Sequence, residues 1–231
     1  MAEDKVWVPS TLQPEGLIEA REDMLTAQRL VRYWWAWCVA KRMKATLIYD
    51  MGCGCGYGCR IMAEQQPHEL RIVGVDKDEA ALKMFTEKYD TEEAPDGISF
   101  QRMDFDMEWV DRFNSQKPQL ITCFEVFEEL AHRDLFLAGL AEVLHDEGTL
   151  LLAASGLAGH TTTRGVRPML VTYSKMDLEA MLKRFFGDVT TVLDAKFPSQ
   201  DYIDGINNKL DGTAANLMGG ELFACSKPIR A

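Results

Sequence analysis

Short strand-like segments alternate with helix-forming segments along most of this chain, and this alternation limits the fold more than any other feature. The strand-like segments are mostly apolar, and each of the first two stops at an aspartate. They lie at 45–49, 71–75, 98–102, 120–124 and 149–154. Helices are predicted between them, at 59–66, 78–89 and 134–144, and before them, at 18–43. Near-continuous apolar strands separated by helices are typical of a parallel sheet covered on both faces.

The last third of the chain continues the same rhythm. Ser174 and Asp177 form a capping-box pattern, and an apolar stripe follows that runs to Phe186 and stops at Gly187. Two more strands are predicted at 189–197 and 222–226. The polar segment 198–220 between them is longer than most loops, which is typical of a lid or of a partly disordered region.

Charge and composition exclude several classes of protein. The 231 residues carry 25 basic and 36 acidic side chains, a net charge of −11, so nucleic acid is not an expected partner. There is no run of about 18 apolar residues, so no membrane span is expected. The six cysteines come without a secretory leader pattern, which predicts reduced thiols and a cytoplasmic protein.

The glycine-rich segment DMGCGCGYGCR, residues 50–60, follows the first strand directly. It fails the G-x-G-x-x-G dinucleotide fingerprint in both registers, and it lacks the lysine of a phosphate-binding P-loop. Its three cysteines have the spacing C-x-C-x3-C, whereas a structural zinc site commonly has two ligand pairs. A cysteine-bound metal or a redox centre therefore stays open as an alternative.

The segment does fit D-x-G-x-G-x-G at a strand end that leads into a helix, with Asp50, Gly52, Gly54 and Gly56 in the defined positions. Glycines let a backbone approach a ligand closely and adopt a positive φ. The helix start behind them offers N–H groups that suit a carboxylate or a phosphate. Asp50 adds an acceptor for an ammonium group or an ordered water, so a zwitterionic amino-acid ligand suits this loop.

Asp76 ends the second strand. A carboxylate at this point is placed to accept hydrogen bonds from a ribose diol. The other interpretation is that Asp76 only caps the helix that follows.

These residues resemble a known family. D50-M-G-C-G-C-G56 together with V-G-V-D76 is similar to the class I S-adenosylmethionine-dependent methyltransferases, and within them to the ubiquinone-biosynthesis-like branch (methyltransferase types 11 and 23). Three later segments resemble that family in the same order: FQRMDF, LITCFEVFEEL and VLHDEGTLLL, which start at residues 100, 120 and 143.

The resemblance implies an α/β fold with a doubly wound, Rossmann-like, seven-stranded sheet. Its strand order is 3-2-1-4-5-7-6 with the last strand antiparallel, and a helical extension precedes it. It also implies two units, an N-terminal arm and cofactor-covering helix (1–44) and a methyltransferase domain (45–231). The implied cofactor is S-adenosyl-L-methionine.

The resemblance also implies the cofactor contacts. The Arg32-Tyr33 pair is expected near the cofactor carboxylate, and Asp104 is expected to meet the adenine amino group. The cofactor-binding residues that we predict are Arg32, Tyr33, Asp50, Gly52, Cys53, Gly54, Gly56, Asp76, Lys77, Asp104, Phe105, Phe124 and Glu125.

The acceptor side departs from the family pattern. Where E-V-x-E-H-L has a histidine, this chain has Glu129, so the family's usual candidate base is missing here. Glu125, Glu128 and Glu129 could suit Mg²⁺ or could form a solvated helix start, and no metal is predicted. His160 and His132 are the candidate bases or acceptor contacts.

The function predicted from the sequence is methyl transfer to an oxygen or nitrogen of a small-molecule or glycan-linked acceptor. The acceptor site would be built from the N-terminal helix and the loops 156–173 and 198–220. A homodimer is compatible with the sequence. The alternative is a methyltransferase-like subunit that binds the cofactor without turnover and stabilises a partner protein.

Overall fold

The computed structural model describes residues 21–64, 70–83, 97–107, 109–113, 116–154, 174–191 and 221–230. These residues form one seven-stranded sheet in the order β3-β2-β1-β4-β5-β7-β6. The strands are β1 (Leu47–Met51), β2 (Arg71–Asp76), β3 (Ile98–Arg102), β4 (Leu120–Phe124), β5 (Thr149–Ala154), β6 (Phe186–Thr191) and β7 (Glu221–Pro228). Strands β1 to β5 pair in parallel, and β7 is antiparallel to both of its neighbours. The predicted strand order and the antiparallel last strand are confirmed.

Helices pack on both faces of this sheet. They are α1 (Arg21–Met43), α2 (Tyr57–Glu64), α3 (described over 79–83), α4 (Arg133–Val143) and α5 (Lys175–Leu182). Short 3-10 turns lie at Val110–Phe113 and Phe127–Glu129. The capping box predicted at Ser174 is present, because its hydroxyl accepts the Asp177 N–H at 3.1 Å.

The alternation of side chains along each strand separates two hydrophobic cores. One core lies under α1 and α2 and includes Trp34, Trp35 and Ile48. The other lies under α4 and α5 and includes Phe136 and Leu178. The sheet is thus the middle layer of three, which is the doubly wound arrangement expected from the sequence.

The end of α5 differs from the prediction. The helix stops at Leu182, and Phe186 begins β6 instead of completing the helical stripe. Phe186 is fully buried and pairs with Pro228, while the Ile229 N–H donates to the Phe185 carbonyl at 2.7 Å. Pairing with β7 therefore outweighs the local preference for helix. Met176, in the first turn of α5, is 79% exposed.

Three predicted features lie outside the described residues: the N-terminal arm and the loops 156–173 and 198–220. None of the helices in the described part of the chain is both long enough and apolar enough to span a membrane.

Candidate functional site

The carboxyl ends of β1, β2 and β4 meet at one edge of the sheet. Met51, the last residue of β1, is in register with Val75 of β2 and Cys123 of β4. The residues that come next, or nearly next, are the glycine loop, Asp76 and Glu125. The crevice beyond the carboxyl ends of parallel strands is where ligands bind in doubly wound folds, so the candidate site lies here.

The glycine loop is anchored to the end of β2. The N–H groups of Gly52 and Cys53 both donate to the Val75 carbonyl, at 2.7 and 3.1 Å. Gly52, Gly54 and Gly56 have φ values of +81°, +54° and +76°. These are left-handed conformations that glycine adopts without steric cost, so the predicted glycine positions are those where the backbone needs them.

Two of these glycines differ in what surrounds them. A side chain at Gly52 would clash with Val126, so this glycine lets the loop pack against the segment after β4. A Cβ at Gly54 would meet no atom within 4 Å. Gly54 therefore presents bare backbone to open space at the centre of the loop, which is the geometry that a closely approaching ligand requires.

Asp76 braces the loop with both carboxylate oxygens. Its Oδ2 accepts the Gly54 N–H at 2.8 Å, and its Oδ1 accepts the Asp78 N–H at 2.9 Å. The capping interpretation is not supported, because the helix that follows is capped by Asp78, whose Oδ1 accepts the N–H groups of Ala80 and Ala81 at 3.0 and 3.3 Å. The side chain remains partly exposed, and its contact with a ribose stays a prediction.

Asp50 lies behind the loop and is fully buried. Its carboxylate accepts hydrogen bonds from the hydroxyls of Thr122 at 2.7 Å and Tyr33 at 3.1 and 3.2 Å, and from the Cys59 thiol at 3.4 Å. Burial raises the pKa of Asp50 to about 6, against the effect of these hydrogen bonds. The group predicted to meet a ligand ammonium is thus held by three protein donors.

Tyr33 connects α1 to this network. Burial, followed by the neighbouring Asp50 carboxylate, raises the pKa of Tyr33 well above its ordinary value, so the phenol keeps its proton and donates it. Its ring lies directly against the backbone of Gly58 in α2, where a Cβ would clash with ring carbons. It also packs edge-to-face with Tyr57 and Phe124, with ring centroids 5.3 and 5.1 Å away.

Arg32 makes a second connection from α1 to the sheet. Its fully buried guanidinium donates from Nη1 to Oε1 of Glu125 at 2.8 Å. Glu125 has a φ of +61°, which is unfavourable for a residue with a side chain. Backbone strain of this kind is concentrated at functional sites.

Residues 48–148 match the family model described as methyltransferase domain. This segment, a little under half of the chain, is similar to methyltransferase domains. It contains the glycine loop, Asp76 and the seven residues that follow β4 up to Ala131. The assignment to the ubiquinone-biosynthesis-like branch of the class I methyltransferases stays a prediction.

Solved structures share the fold of this chain at low sequence identity. One is the plantazolicin methyltransferase BamL in complex with a triazolic desmethylPZN analog and SAH: 13% identity, TM-score 0.63, covering 88% of this chain and 85% of that one. The N-terminal domain of EvdMO1 in the presence of SAH and D-fucose is 12% identical, with a TM-score of 0.58 and coverage of 92% and 98%.

A methyltransferase solved in complex with the Haloferax volcanii Trm112 activator is 17% identical, with a TM-score of 0.58 and coverage of 88% and 94%. No curated protein matches the chain at a significant level.

The remaining predicted cofactor contacts are spread more widely. Asp104 is exposed, and its Oδ1 accepts the Asp106 N–H at 3.1 Å. Phe105 is buried in an aromatic cluster with Trp109 and Phe136, which gives it a core contact. Lys77 is half-buried, and its carbonyl accepts from Arg102.

Two of the three loop cysteines lie together, since the Cys53 and Cys59 thiols are within hydrogen-bond reach of each other. The Cys53 thiol lies against Gly74 of β2, Cys59 donates to Asp50, and Cys55 is half-exposed. Across the described part of the chain, no three His, Cys, Asp or Glu side chains are grouped so that they could hold a metal ion. Neither the loop cysteines nor the carboxylates at 125, 128 and 129, all within the described residues, form such a group.

Of the two candidate bases, His132 lies within the described residues and His160 does not. His132 is exposed immediately before α4, and its backbone N–H donates to Asp106 Oδ1 at 3.0 Å. Catalytic roles for both stay predictions.

Sequence reasoning missed three residues that shape the site: Thr122, Gly58 and Val126. Thr122 had a visible signal, because it is the one hydroxyl-bearing residue within the apolar run LITCF. Gly58 and Val126 had none, since their roles depend on contacts with Tyr33 and Gly52 that come from other elements.

Proposed function

We propose that this protein is an S-adenosylmethionine-dependent methyltransferase that acts on an oxygen or nitrogen of a small-molecule or glycan-linked acceptor. The observation that carries the proposal is the environment of Gly54. Its backbone faces open space at the carboxyl edge of the sheet, and its N–H is held by Asp76 at 2.8 Å. This combination leaves room for a ligand beside a carboxylate that suits a ribose.

The described residues fit S-adenosylmethionine. The first N–H groups of α2 suit its carboxylate, whereas those of Gly52, Cys53, Gly54 and Gly56 are already bonded within the protein and hold the loop in shape. Asp76 is partly exposed beside this loop and suits the ribose diol, and Asp104 is exposed after β3, where it suits the adenine amino group. Asp50 and Tyr33 act one layer deeper, because they fix α1 and the loop to each other.

When bound, S-adenosylmethionine supplies an electrophilic methyl carbon. The protein's own contribution is then orientation, since correct alignment of donor and acceptor removes much of the barrier. Loop backbone and Asp76 hold one reactant in place, and the Arg32–Glu125 pair fixes α1 over the same edge. A base is needed only for an acceptor that must lose a proton, for which His132 and His160 are the candidates.

A small acceptor agrees with two independent features. The net charge of −11 disfavours a polyphosphate substrate. Two proteins with the same fold were solved with small molecules: BamL with a triazolic analog and EvdMO1 with D-fucose. We further propose that 1–44 form an arm and cofactor-covering helix beside a single domain at 45–231. Six free cysteines agree with a cytoplasmic location.

Calorimetry with S-adenosylhomocysteine tests the proposal. The wild type should bind, and Gly54→Ala should bind at least about tenfold more weakly, because the new methyl group occupies the ligand's approach. Gly187→Ala makes the same substitution in β6, away from the site, and tests the effect of the methyl group without the positive φ of Gly54. No binding by the folded wild type at millimolar ligand would overturn the proposal.

Methyl transfer is tested separately, with labelled S-adenosylmethionine and a panel of hydroxyl and amine acceptors. Transfer to a panel member supports the enzyme. Tight binding without transfer to any acceptor favours the alternative, a cofactor-binding subunit that acts through a partner. The Haloferax volcanii structure, in which a methyltransferase is bound to an activator protein, is the observation that makes this alternative specific.

A further inference from the structure

A cavity of about 380 Å³ lies on one face of the sheet. It is lined by the first residues of three neighbouring strands: Leu47 of β1, Arg71 of β2 and Ile98 of β3. Because these strands are parallel, their amino ends lie at the edge opposite to the candidate cofactor site. The lining extends along β3 to Gln101, but no described lining residue is a predicted cofactor contact, so the cavity is distinct from that site.

The connection between β3 and β4 explains why the cavity exists. Over its described residues this crossover contains one 3-10 turn, Val110–Phe113, and no α-helix. Phe113 covers part of the sheet, with its ring centroid 4.6 Å from that of Tyr49. Beyond Phe113, Ser99 and Gln101 of β3 are left exposed on the same face as Val73.

Two arginines line this cavity, Arg71 and Arg112, and both are exposed. Within the described part of the chain, neither guanidinium has a carboxylate partner or a side-chain hydrogen bond. Arg32, Arg102 and Arg184 by contrast each pair with an acidic side chain. Two unpaired arginines in one cavity are unexpected in a chain with eleven more acidic than basic residues.

Apart from the two arginines, the described lining of the cavity is uncharged. Leu47, Val73 and Phe113 supply an apolar surface, and the Tyr49 hydroxyl is engaged, since it donates to the Gln116 carbonyl at 3.2 Å. Burial raises the pKa of Tyr49 while the positive charge of Arg71 opposes the rise, so that charge acts on the cavity interior.

We propose that this cavity is a second binding site, for a small organic anion with an apolar body. Arg71 and Arg112 hold its carboxylate, sulfonate or phosphate group, because guanidinium pairs with such groups through two parallel hydrogen bonds. The apolar body lies on Leu47, Val73 and Phe113. The volume is within the range of sites for small molecules, which begins at roughly 300 Å³.

Calorimetry with 1-naphthoate tests the proposal, with the uncharged 1-naphthamide as its matched probe. The wild type should bind the anion at least about tenfold more tightly than the amide. Arg71→Gln and Arg112→Gln should each weaken naphthoate binding by about tenfold or more and leave naphthamide unchanged, because hydrogen bonds to charged groups are the stronger ones. Arg184→Gln removes the same charge at the other end of the sheet and should change nothing.

Ser99→Trp is a second variant that fills the cavity and keeps both arginines. It should abolish naphthoate binding while S-adenosylhomocysteine affinity and the unfolding temperature stay at wild-type values. Three results would overturn the proposal: no naphthoate binding at millimolar concentration, equal affinity for the two probes, or wild-type affinity in Ser99→Trp.

Discussion

The phenolic oxygen of Tyr33 lies 3.1 and 3.2 Å from the two carboxylate oxygens of Asp50. Tyr33 belongs to α1 and Asp50 to the end of β1, so a buried hydrogen bond joins the N-terminal helix to the strand that begins the glycine loop. The ring of Tyr33 also rests on Gly58 of α2. One side chain thus sets the relative positions of the helix, the strand and the loop between β1 and α2.

The first prediction concerns the proton on Asp50. Its pKa is about 6 in the folded protein and 3.8 ordinarily, so the folded state holds the proton more tightly than the unfolded chain. The stabilisation from this group is therefore full below pH 3.8 and is lost as the pH rises through 6. At about 1.4 kcal/mol per pKa unit, the loss is roughly 3 kcal/mol.

Urea denaturation of wild type and Asp50→Asn between pH 4 and pH 7 measures this effect. The stability of the variant relative to wild type should rise with pH over that window. Thr122→Val, which removes a donor that favours the carboxylate, should extend the wild-type slope to higher pH. If the free energies of unfolding of wild type and Asp50→Asn changed with pH in the same way, the raised pKa of Asp50 would be contradicted.

The second prediction is that Gly58→Ala destabilises the protein by about 1–3 kcal/mol, because the added methyl group overlaps the Tyr33 ring. The sign is informative, since alanine is normally the better residue in a helix. Thermal unfolding and denaturation provide the measurement. In a Tyr33→Ala background the same substitution should cost little; an undiminished cost there would show that the ring is not responsible.

The third prediction concerns the backbone at Glu125. Because its φ is +61°, Glu125→Gly should be more stable than Glu125→Ala by about 1 kcal/mol. Both variants lose the ion pair with Arg32, so their difference isolates the backbone. The control is the same pair of substitutions at Glu129, within a 3-10 turn, where alanine should be the more stable of the two. An alanine advantage at 125 would rule out the left-handed conformation.

The fourth prediction is that Cys55 reacts alone among the six cysteines. All six lie within the described residues, and the other five are buried. Burial raises the pKa of Cys59 well above its ordinary value, which keeps it a poorly reactive thiol. A disulfide reagent should modify one equivalent of thiol rapidly in native protein, and Cys55→Ser should remove that fast phase. A fast phase that survives in Cys55→Ser would point to opening of the loop.

The fifth prediction separates two roles of Asp76. Asp76→Ala should weaken S-adenosylhomocysteine binding by about 1–3 kcal/mol through lost hydrogen bonds. Part of that loss comes from the Gly54 N–H that Asp76 holds. A 2′-deoxy analogue of S-adenosylhomocysteine separates the two roles. If Asp76 contacts the ribose, loss of the 2′-hydroxyl should cost less affinity in Asp76→Ala than in wild type. Equal costs would leave Asp76 as a brace of the loop alone.

Much of the fold could be predicted from the sequence, because it is expressed in local patterns. Apolar runs placed β3, β4 and β5 at their observed bounds and β1 within two residues. Prediction failed at Phe186, where an apolar residue at helical spacing belongs to a strand that exists only because β7 pairs with it. Such pairing joins residues about forty positions apart, and no local pattern records it.

The sequence by itself determined the strands β1 to β5, the position of the glycine loop and the need for glycine at 52, 54 and 56, since all of these follow from neighbouring residues. Only the tertiary structure decided what those residues face. In the folded protein the Asp50 carboxylate accepts hydrogen bonds from Tyr33, Thr122 and Cys59. Arg32 pairs with Glu125, and the space beside Gly54 is unfilled by protein atoms. The tertiary structure also places Arg71 and Arg112 in one cavity. Contacts between distant elements depend on how helices and strands pack together, and a residue's own neighbours in the chain do not specify them.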